Sequence, residues 1–171
     1  MVVDSESRTS SGDPSGRMPD PVGDKNDSRR EERRHPKVAA HFVDGRILKG
    51  LALDFRSSQP TFLLRLRDMT DPVKAISIRL AGLKALFFVK EFEGDPSYRA
   101  STGTDRTSLL ERQVRVRFRD GEVLRGTSPS RDLLGGAGFF LIPMDPRSNN
   151  RRIYVVTANV AECLIEKGDR P

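Results

Sequence analysis

The chain has 171 residues, of which 36% are hydrophobic and 32% charged, so either the core is modest or part of the chain lies outside it. The single cysteine, Cys163, excludes an intrachain disulfide and a cysteine-based metal site, and no apolar run approaches the roughly 20 residues that a membrane-spanning helix needs. The formal net charge of +6 favours phosphate-bearing partners such as nucleic acid or nucleotides.

Residues 1–28 predict a disordered arm, because they consist mainly of Ser, Gly, Pro and Asp and offer little to bury. Six acidic residues against three basic ones give this arm a charge of −3, which leaves +9 on residues 29–171. The start of the arm lacks the basic and then apolar pattern of a secretion signal, so we expect a cytoplasmic protein.

An arginine-rich lead-in opens the first predicted unit, residues 29–93. Arg29 and Arg33 are four residues apart, as are Arg30 and Arg34, so one helical turn would place each pair on one face. Pro36 then ends any helix and favours extended geometry.

The rest of the first unit predicts short β-strands. Residues 38–43 alternate with a period of two, and the Asp-Gly pair at 44–45 predicts a hairpin turn. Gly50 interrupts the following strand, which is typical of a bend or a close backbone approach. Further strands are predicted at 61–66 and 75–80. Residues 83–92 are apolar on both faces, so we expect their second face to pack on another part of the molecule.

Residues 94–109 predict a linker, residues 110–166 a second unit, and residues 167–171 a tail. In the second unit Val114, Val116 and Phe118 alternate with arginines before a second Asp-Gly turn. A two-residue turn would place Phe118 opposite Val123, and a bulged three-residue turn would place it opposite Leu124. Strands are further predicted at 138–142, 153–156 and 160–165.

The two units align residue by residue. Val38, Phe42, Asp44, Gly45, Leu48 and Gly50 match residues 76 positions later, and Ile76, Ile78 and Leu83 match residues 77 positions later. We therefore predict an all-β chain of two tandem small antiparallel β-barrels of the Sm-like or SH3-like type, since barrel closure removes exposed edges.

Three resemblances accompany this pattern. The segments FVDGRILKGLALDF and FRDGEVLRG resemble the first motif of Sm-like β-barrels, which implies RNA binding. The pattern of DGxxLxG at 120–126, GFFLIPMDPRSNN at 138–150 and LKALFFVKEFEG at 83–94 resembles a bacterial family of unknown function and implies no activity.

The third resemblance concerns the lead-in. RREERRHPKV is similar to the arginine-rich opening of PilZ domains, which bind cyclic di-GMP. The resemblance implies that Arg29 with Arg33, or Arg30 with Arg34, clamps phosphates. The segment at 54–59, DFRSSQ, is the nearest counterpart of the second PilZ motif.

Two further groups are candidate ligand-binding residues. Arg115, Arg117 and Arg119 lie on the predicted outer face of the second hairpin and either bind phosphates or form a solvated face paired with Glu122 and Glu111. A second group either forms a structured turn or recognises a ligand edge: Asn149, Asn150 and Arg151.

No catalytic, metal or cofactor site is predicted. The two histidines, His35 and His41, lack partners for a catalytic or metal cluster, and His41 is expected on the outer surface of its strand. We expect a non-enzymatic binding or regulatory adaptor with a protein partner, and the alternatives are a cyclic di-GMP sensor and an RNA-binding protein.

Overall fold

The computed structural model describes residues 34–68, 74–94 and 112–166, which form ten β-strands. The first half contains β1 Lys37–Phe42, β2 Ile47–Ala52, β3 Thr61–Leu66, β4 Ile76–Arg79 and β5 Leu83–Val89. The second half contains β6 Arg112–Phe118, β7 Val123–Ser128, β8 Gly138–Pro143, β9 Asn150–Val156 and β10 Val160–Glu166. The predicted arm at 1–28 and tail at 167–171 lie outside the described residues, as does the linker at 94–109 apart from Gly94.

All ten strands form one antiparallel sheet in the order β10-β6-β7-β8-β9-β5-β1-β2-β3-β4. In each half the first four strands form a meander, and the fifth strand returns to pair with the first. A 3-10 turn precedes each fifth strand, at Leu80–Gly82 and at Thr157–Asn159. The all-β prediction is confirmed, but the strands form one continuous sheet rather than two separately closed barrels.

Strand β5 explains why the first half does not close on itself. It pairs with β1 on one edge, where Phe88 lies opposite Val38, and with β9 on the other, where Phe88 lies opposite Arg152. Barrel closure within the first half would have covered this second edge of β5, but here β9 of the second half occupies it.

The two faces of β5 are buried in two different cores. Leu86 and Phe88 belong to a core formed mainly by the first half, whereas Ala85 and Phe87 belong to one formed mainly by the second half. Strand β9 alternates in the same way, with Tyr154 in the first core. This confirms the prediction that the second apolar face of β5 packs on the other half.

Both hairpin turns have the same geometry. Gly45 and Gly121 have φ of 87° and 90°, values that a residue without Cβ adopts at low cost. The Phe118 N–H donates to Glu122 O at 2.9 Å, so three residues form the turn and Phe118 lies opposite Glu122. Both predicted registers, with Val123 or Leu124 opposite Phe118, are wrong because the bulging glycine adds one residue to the turn.

Gly50 marks a close approach of two strands, as predicted. A Cβ on Gly50 would lie 2.1 Å from Arg65 O on β3, and one on Gly126 would lie 2.3 Å from Ile142 O on β8. No side chain fits at that distance, so the glycines allow the second and third strands of each half to approach closely.

A buried lysine adds a polar contact between the halves. Lys84 of β5 has a side chain only 10% exposed, and its Nζ donates to Asp120 Oδ2 at 2.5 Å and also to Glu122. The ammonium lies 4.8 Å from the centre of the Phe118 ring. The second hairpin is thereby tied to the strand that joins the halves.

We predict that Phe87→Ala destabilises the whole chain by about 3–5 kcal/mol, because it removes a buried ring that β5 supplies to the second core. Urea unfolding followed by circular dichroism measures the change. Leu63→Ala, at a side chain that is 40% exposed, is the control and should cost about 0.5 kcal/mol or less. A loss below 1 kcal/mol for Phe87→Ala would contradict a shared core.

We predict that the free energy of unfolding of the Lys84→Met variant changes less between neutral and acid pH than that of the unchanged chain. The hydrogen bond from Lys84, followed by that from the Glu122 N–H, lowers the pKa of Asp120. Such a carboxyl stabilises the fold above its unfolded pKa of about 3.9, and the contribution is lost as the pH falls through the lower folded pKa. Urea unfolding at pH 7 and near pH 3 should therefore show a smaller difference in the variant.

The lysine acts in the opposite pH range. Burial lowers the pKa of Lys84, but its hydrogen bonds with Asp120 and Glu122 outweigh burial and raise it. Its contribution is thus present below the unfolded pKa of about 10.4 and is lost as the pH rises through the folded pKa.

Lys90→Met is the control for the acid experiment, because Lys90 donates to a carbonyl, Pro146 O, at 2.8 Å. Equal acid dependence in the two variants would refute the role of Lys84.

Candidate anion-binding site

A cavity of ≈ 400 Å³ lies where the lead-in to β1, the β2–β3 connection and β9 meet. Its volume lies within the range of small-molecule sites. The residues that give it chemical character are three arginines, one aspartate and two phenylalanines: Arg34, Asp54, Phe55, Arg56, Phe88 and Arg152.

Two hydrogen bonds, one of them to a side-chain carboxylate, hold the segments that carry Arg34 and Arg56 at this arginine cavity. Pro36 O accepts from the Ala52 N–H at 3.0 Å, which fixes the lead-in, with Arg34, over the end of β2. The carboxylate Oδ1 of Asp54 accepts from the Leu63 N–H at 2.6 Å. This bond anchors the start of the β2–β3 connection, which carries Arg56.

Arg152 reaches the cavity from the second half. Its guanidinium carbon lies 4.5 Å from the centre of the Phe88 ring and 4.7 Å from that of Phe140. Both rings attract the cation. A guanidinium donates through N–H groups in its own plane, so contacts with rings leave those donors for a ligand.

The floor of the cavity is aromatic. Phe55 packs edge-on against Phe62, Phe88 and Tyr154, with ring centres 5.4–5.5 Å apart. Tyr154 is buried, and burial raises the pKa of its hydroxyl, which donates to Ser57 O at 3.4 Å. The buried rings therefore hold Phe55 in place, and its partly exposed ring gives the cavity an apolar surface.

The charges of the cavity favour an anion. Three arginines and one aspartate line the cavity, and Asp54 already accepts a backbone hydrogen bond. Arginine binds phosphate or carboxylate through two parallel N–H groups. Among the described residues no cluster of three or more His, Cys, Asp or Glu side chains could hold a metal ion. The arrangement can hold an anionic, partly aromatic ligand.

Of the four lead-in arginines, the structure places only Arg34 in this cavity. Arg29, Arg30 and Arg33 lie outside the described residues. Sequence reasoning singled out the 54–59 segment but not Arg56 or Phe55 as site residues. It also missed Arg152, because only the β5–β9 register brings Arg152 opposite Phe88.

The arginines of β6 lie elsewhere on the sheet, on its outer face. Arg117 Nε is 3.3 Å from Glu162 Oε2, and Arg115 Nε is 3.9 Å from Glu166 Oε1. Arg119 donates to Ala158 O at 3.2 Å. Among the described residues, β10 supplies the acidic partners of Arg115 and Arg117, whereas Glu122 contacts Lys84 instead. Glu111, the other predicted partner, lies outside the described residues.

The Asn149–Arg151 group is mostly a structured turn. The Asn149 side chain pairs with the backbone of Glu91, accepting at 3.0 Å and donating at 2.9 Å. The Asn150 N–H donates to Ser148 Oγ at 3.1 Å. Arg151 is exposed at the edge of a separate cavity of ≈ 780 Å³ beside Lys90.

The expectation that His41 is a surface residue is wrong. Its ring centre lies 4.2 Å from that of Phe87, on the side of β1 that faces the second half. The residue is half-buried, and burial lowers its pKa. The join between the halves, which the sequence does not reveal, accounts for the difference.

Residues 33–166 match a family described as "Family of unknown function (DUF6982)", and the chain belongs to this family. This bears out the resemblance to a family of unknown function. No curated protein and no solved structure matches the chain significantly. Within the part of the chain that the structure describes, no helix has the length and apolar character to cross a membrane.

Proposed function

We propose that this protein is a non-enzymatic binding protein that holds a phosphate-bearing nucleotide in the arginine cavity. One observation carries the proposal: three arginines from separate parts of the chain converge over an aromatic floor. Arg34 precedes β1, Arg56 follows β2, and Arg152 lies in β9. Three like charges at one site repel each other, so an anion bound there is stabilised by all three.

A nucleotide suits both components of the cavity. Its phosphates match the guanidinium groups, and its base matches the partly exposed ring of Phe55, since Phe88 is 3% exposed and lies under the Arg152 guanidinium. The PilZ-like resemblance rests on the lead-in and on the 54–59 segment, and the cavity brings Arg34 beside Asp54 and Arg56. A cyclic dinucleotide, with two phosphates, is therefore the first ligand to test.

An adaptor role with a protein partner, the leading expectation from the sequence, remains a prediction. It is compatible with the arginine cavity, because a regulatory adaptor can report the occupancy of a small-molecule site to a partner. A cytoplasmic location and a bacterial origin also remain predictions.

We further propose that the two halves are copies of one small Sm-like or SH3-like unit. The shared strand order, the matching Asp-Gly turns and the 3-10 turn before each fifth strand support this interpretation. Duplication would also account for the sequence offset of 76 to 77 residues.

We expect cyclic di-GMP to bind the full chain and raise its melting temperature, because a ligand that binds only the folded state stabilises it. Arg56→Ala and Arg34→Ala should each weaken binding about 10-fold or more, since a hydrogen bond to a charged group contributes roughly 1.5–3 kcal/mol. Isothermal titration calorimetry measures the affinity. GTP and inorganic phosphate are titrated in parallel to separate nucleotide recognition from simple anion binding.

Arg79→Ala is the matched control for this experiment, because Arg79 is an exposed arginine on β4 and does not line the cavity. Equal losses in Arg56→Ala and Arg79→Ala would mean that net charge rather than the cavity binds the ligand. Absence of binding by every nucleotide tested at saturating concentration would refute the proposal.

RNA binding is the second candidate, and the row of arginines on β6 and β7 favours it. Arg115 lies directly opposite Arg125 on the outer face, although Glu162 and Glu166 offset part of the charge. If RNA binds this face, the double variant Arg115→Ala/Arg117→Ala should lower affinity and reduce the salt slope by about 2. Gel shifts with total RNA at several salt concentrations test this, and no shift at moderate salt rejects it.

A further inference from the structure

Strand β10 ends the sheet with an open edge. It pairs with β6 on one side, and no strand among the described residues pairs with its other side. Leu164 and Ile165 are 41% and 51% exposed. A β-bulge interrupts the strand between Val160 and Glu162, and the regular part from Glu162 to Glu166 contains neither Pro nor Lys, two residues that commonly prevent edge pairing. This edge is a template for a further strand.

The hydrogen-bond pattern shows which groups that edge presents. The Phe118 N–H donates to Glu122 O, directly before β7, so alternate residues of β6, such as Arg115 and Arg117, direct their backbone groups toward β10. Their partners there are Leu164 and Glu162. The intervening residues of β10, Cys163 and Ile165, therefore direct their N–H and C=O groups to the open side.

We propose that β10 of a second copy of this chain pairs antiparallel with this edge, with Cys163 opposite Cys163. This register avoids like charges directly opposite each other. It places Glu162 of each copy opposite Leu164 of the other, and the β-bulge between Val160 and Glu162 ends the regular register there. A register centred on Leu164 would place Glu162 opposite Glu166, and one centred on Glu162 would place that residue opposite itself.

Each of the two glutamates has an arginine partner within one copy. Glu162 pairs with Arg117 and Glu166 with Arg115, both on β6. Joining two copies therefore brings together balanced charge and covers Leu164 and Ile165. The pairing has two-fold symmetry and closes, whereas pairing β10 with the opposite edge strand, β4, would produce an open-ended chain of copies.

Sedimentation equilibrium of the full chain tests the pairing. A small interface predicts reversible dimerisation that depends on concentration up to roughly 1 mM. Leu164→Lys should tighten the dimer and Leu164→Glu should weaken it, each by roughly 3- to 30-fold. The reason is that residue 164 of each copy faces Glu162 of the other, so the dimer contains this contact two times. A register centred on Leu164 would instead make both variants weaker.

The effects of the two Leu164 variants on folding stability run in the opposite direction to their effects on dimerisation, so the two can be told apart. Leu164 lies beside Arg115 of its own β6, so lysine there repels within one copy and glutamate attracts. Leu63→Lys and Leu63→Glu are matched controls on β3, at a leucine that is 40% exposed, and should leave dimerisation unchanged. A chain that stays monomeric leaves the edge to another occupant and overturns the proposal. Equal effects of the two Leu164 variants, or equal effects at Leu63, overturn it as well.

Discussion

The pairing of β5 with β9 is the interaction on which the rest of this structure depends. It joins the two halves into one sheet, and it sets residues of both strands into two cores. Phe88 and Tyr154 complete the core of the first half, while Phe87 and Val155 complete that of the second. A central strand that is buried on both faces must be apolar throughout, and β5 is the most apolar stretch of the chain.

The arginine cavity is a product of the same join. Arg152 belongs to the second half, yet its guanidinium is held against Phe88 of the first half. Arg34 and Arg56 alone would form a weaker anion site on the surface of the first half. The third cation, and one ring contact that orients it, exist only because β9 lies beside β5. The candidate site is thus built by the contact that stabilises the fold.

Much of the local structure could be predicted from the sequence. Alternation of apolar residues predicted a strand at 38–43, where the structure has β1 at Lys37–Phe42, and both Asp-Gly turns are where the pattern placed them. The double apolar face of β5 predicted a second packing partner. The sequence could not predict that β9 is the neighbour, because antiparallel pairing over such a separation leaves no local signal. For that reason Arg152 was missed and His41 was misjudged, and Arg152 is the residue that the second half supplies to the cavity.

The division of the two cores has a consequence for how the chain unfolds. Each core contains side chains from both halves, with Phe140 and Tyr154 packed in the first and Ala39 and Phe87 in the second. Unfolding of either half would therefore expose the core of the other half to water. Although the chain resembles two small units in sequence, it should behave as one cooperative unit with a single transition. Contacts such as Phe87 with Ile153 close a long loop, so they are expected to form late in folding.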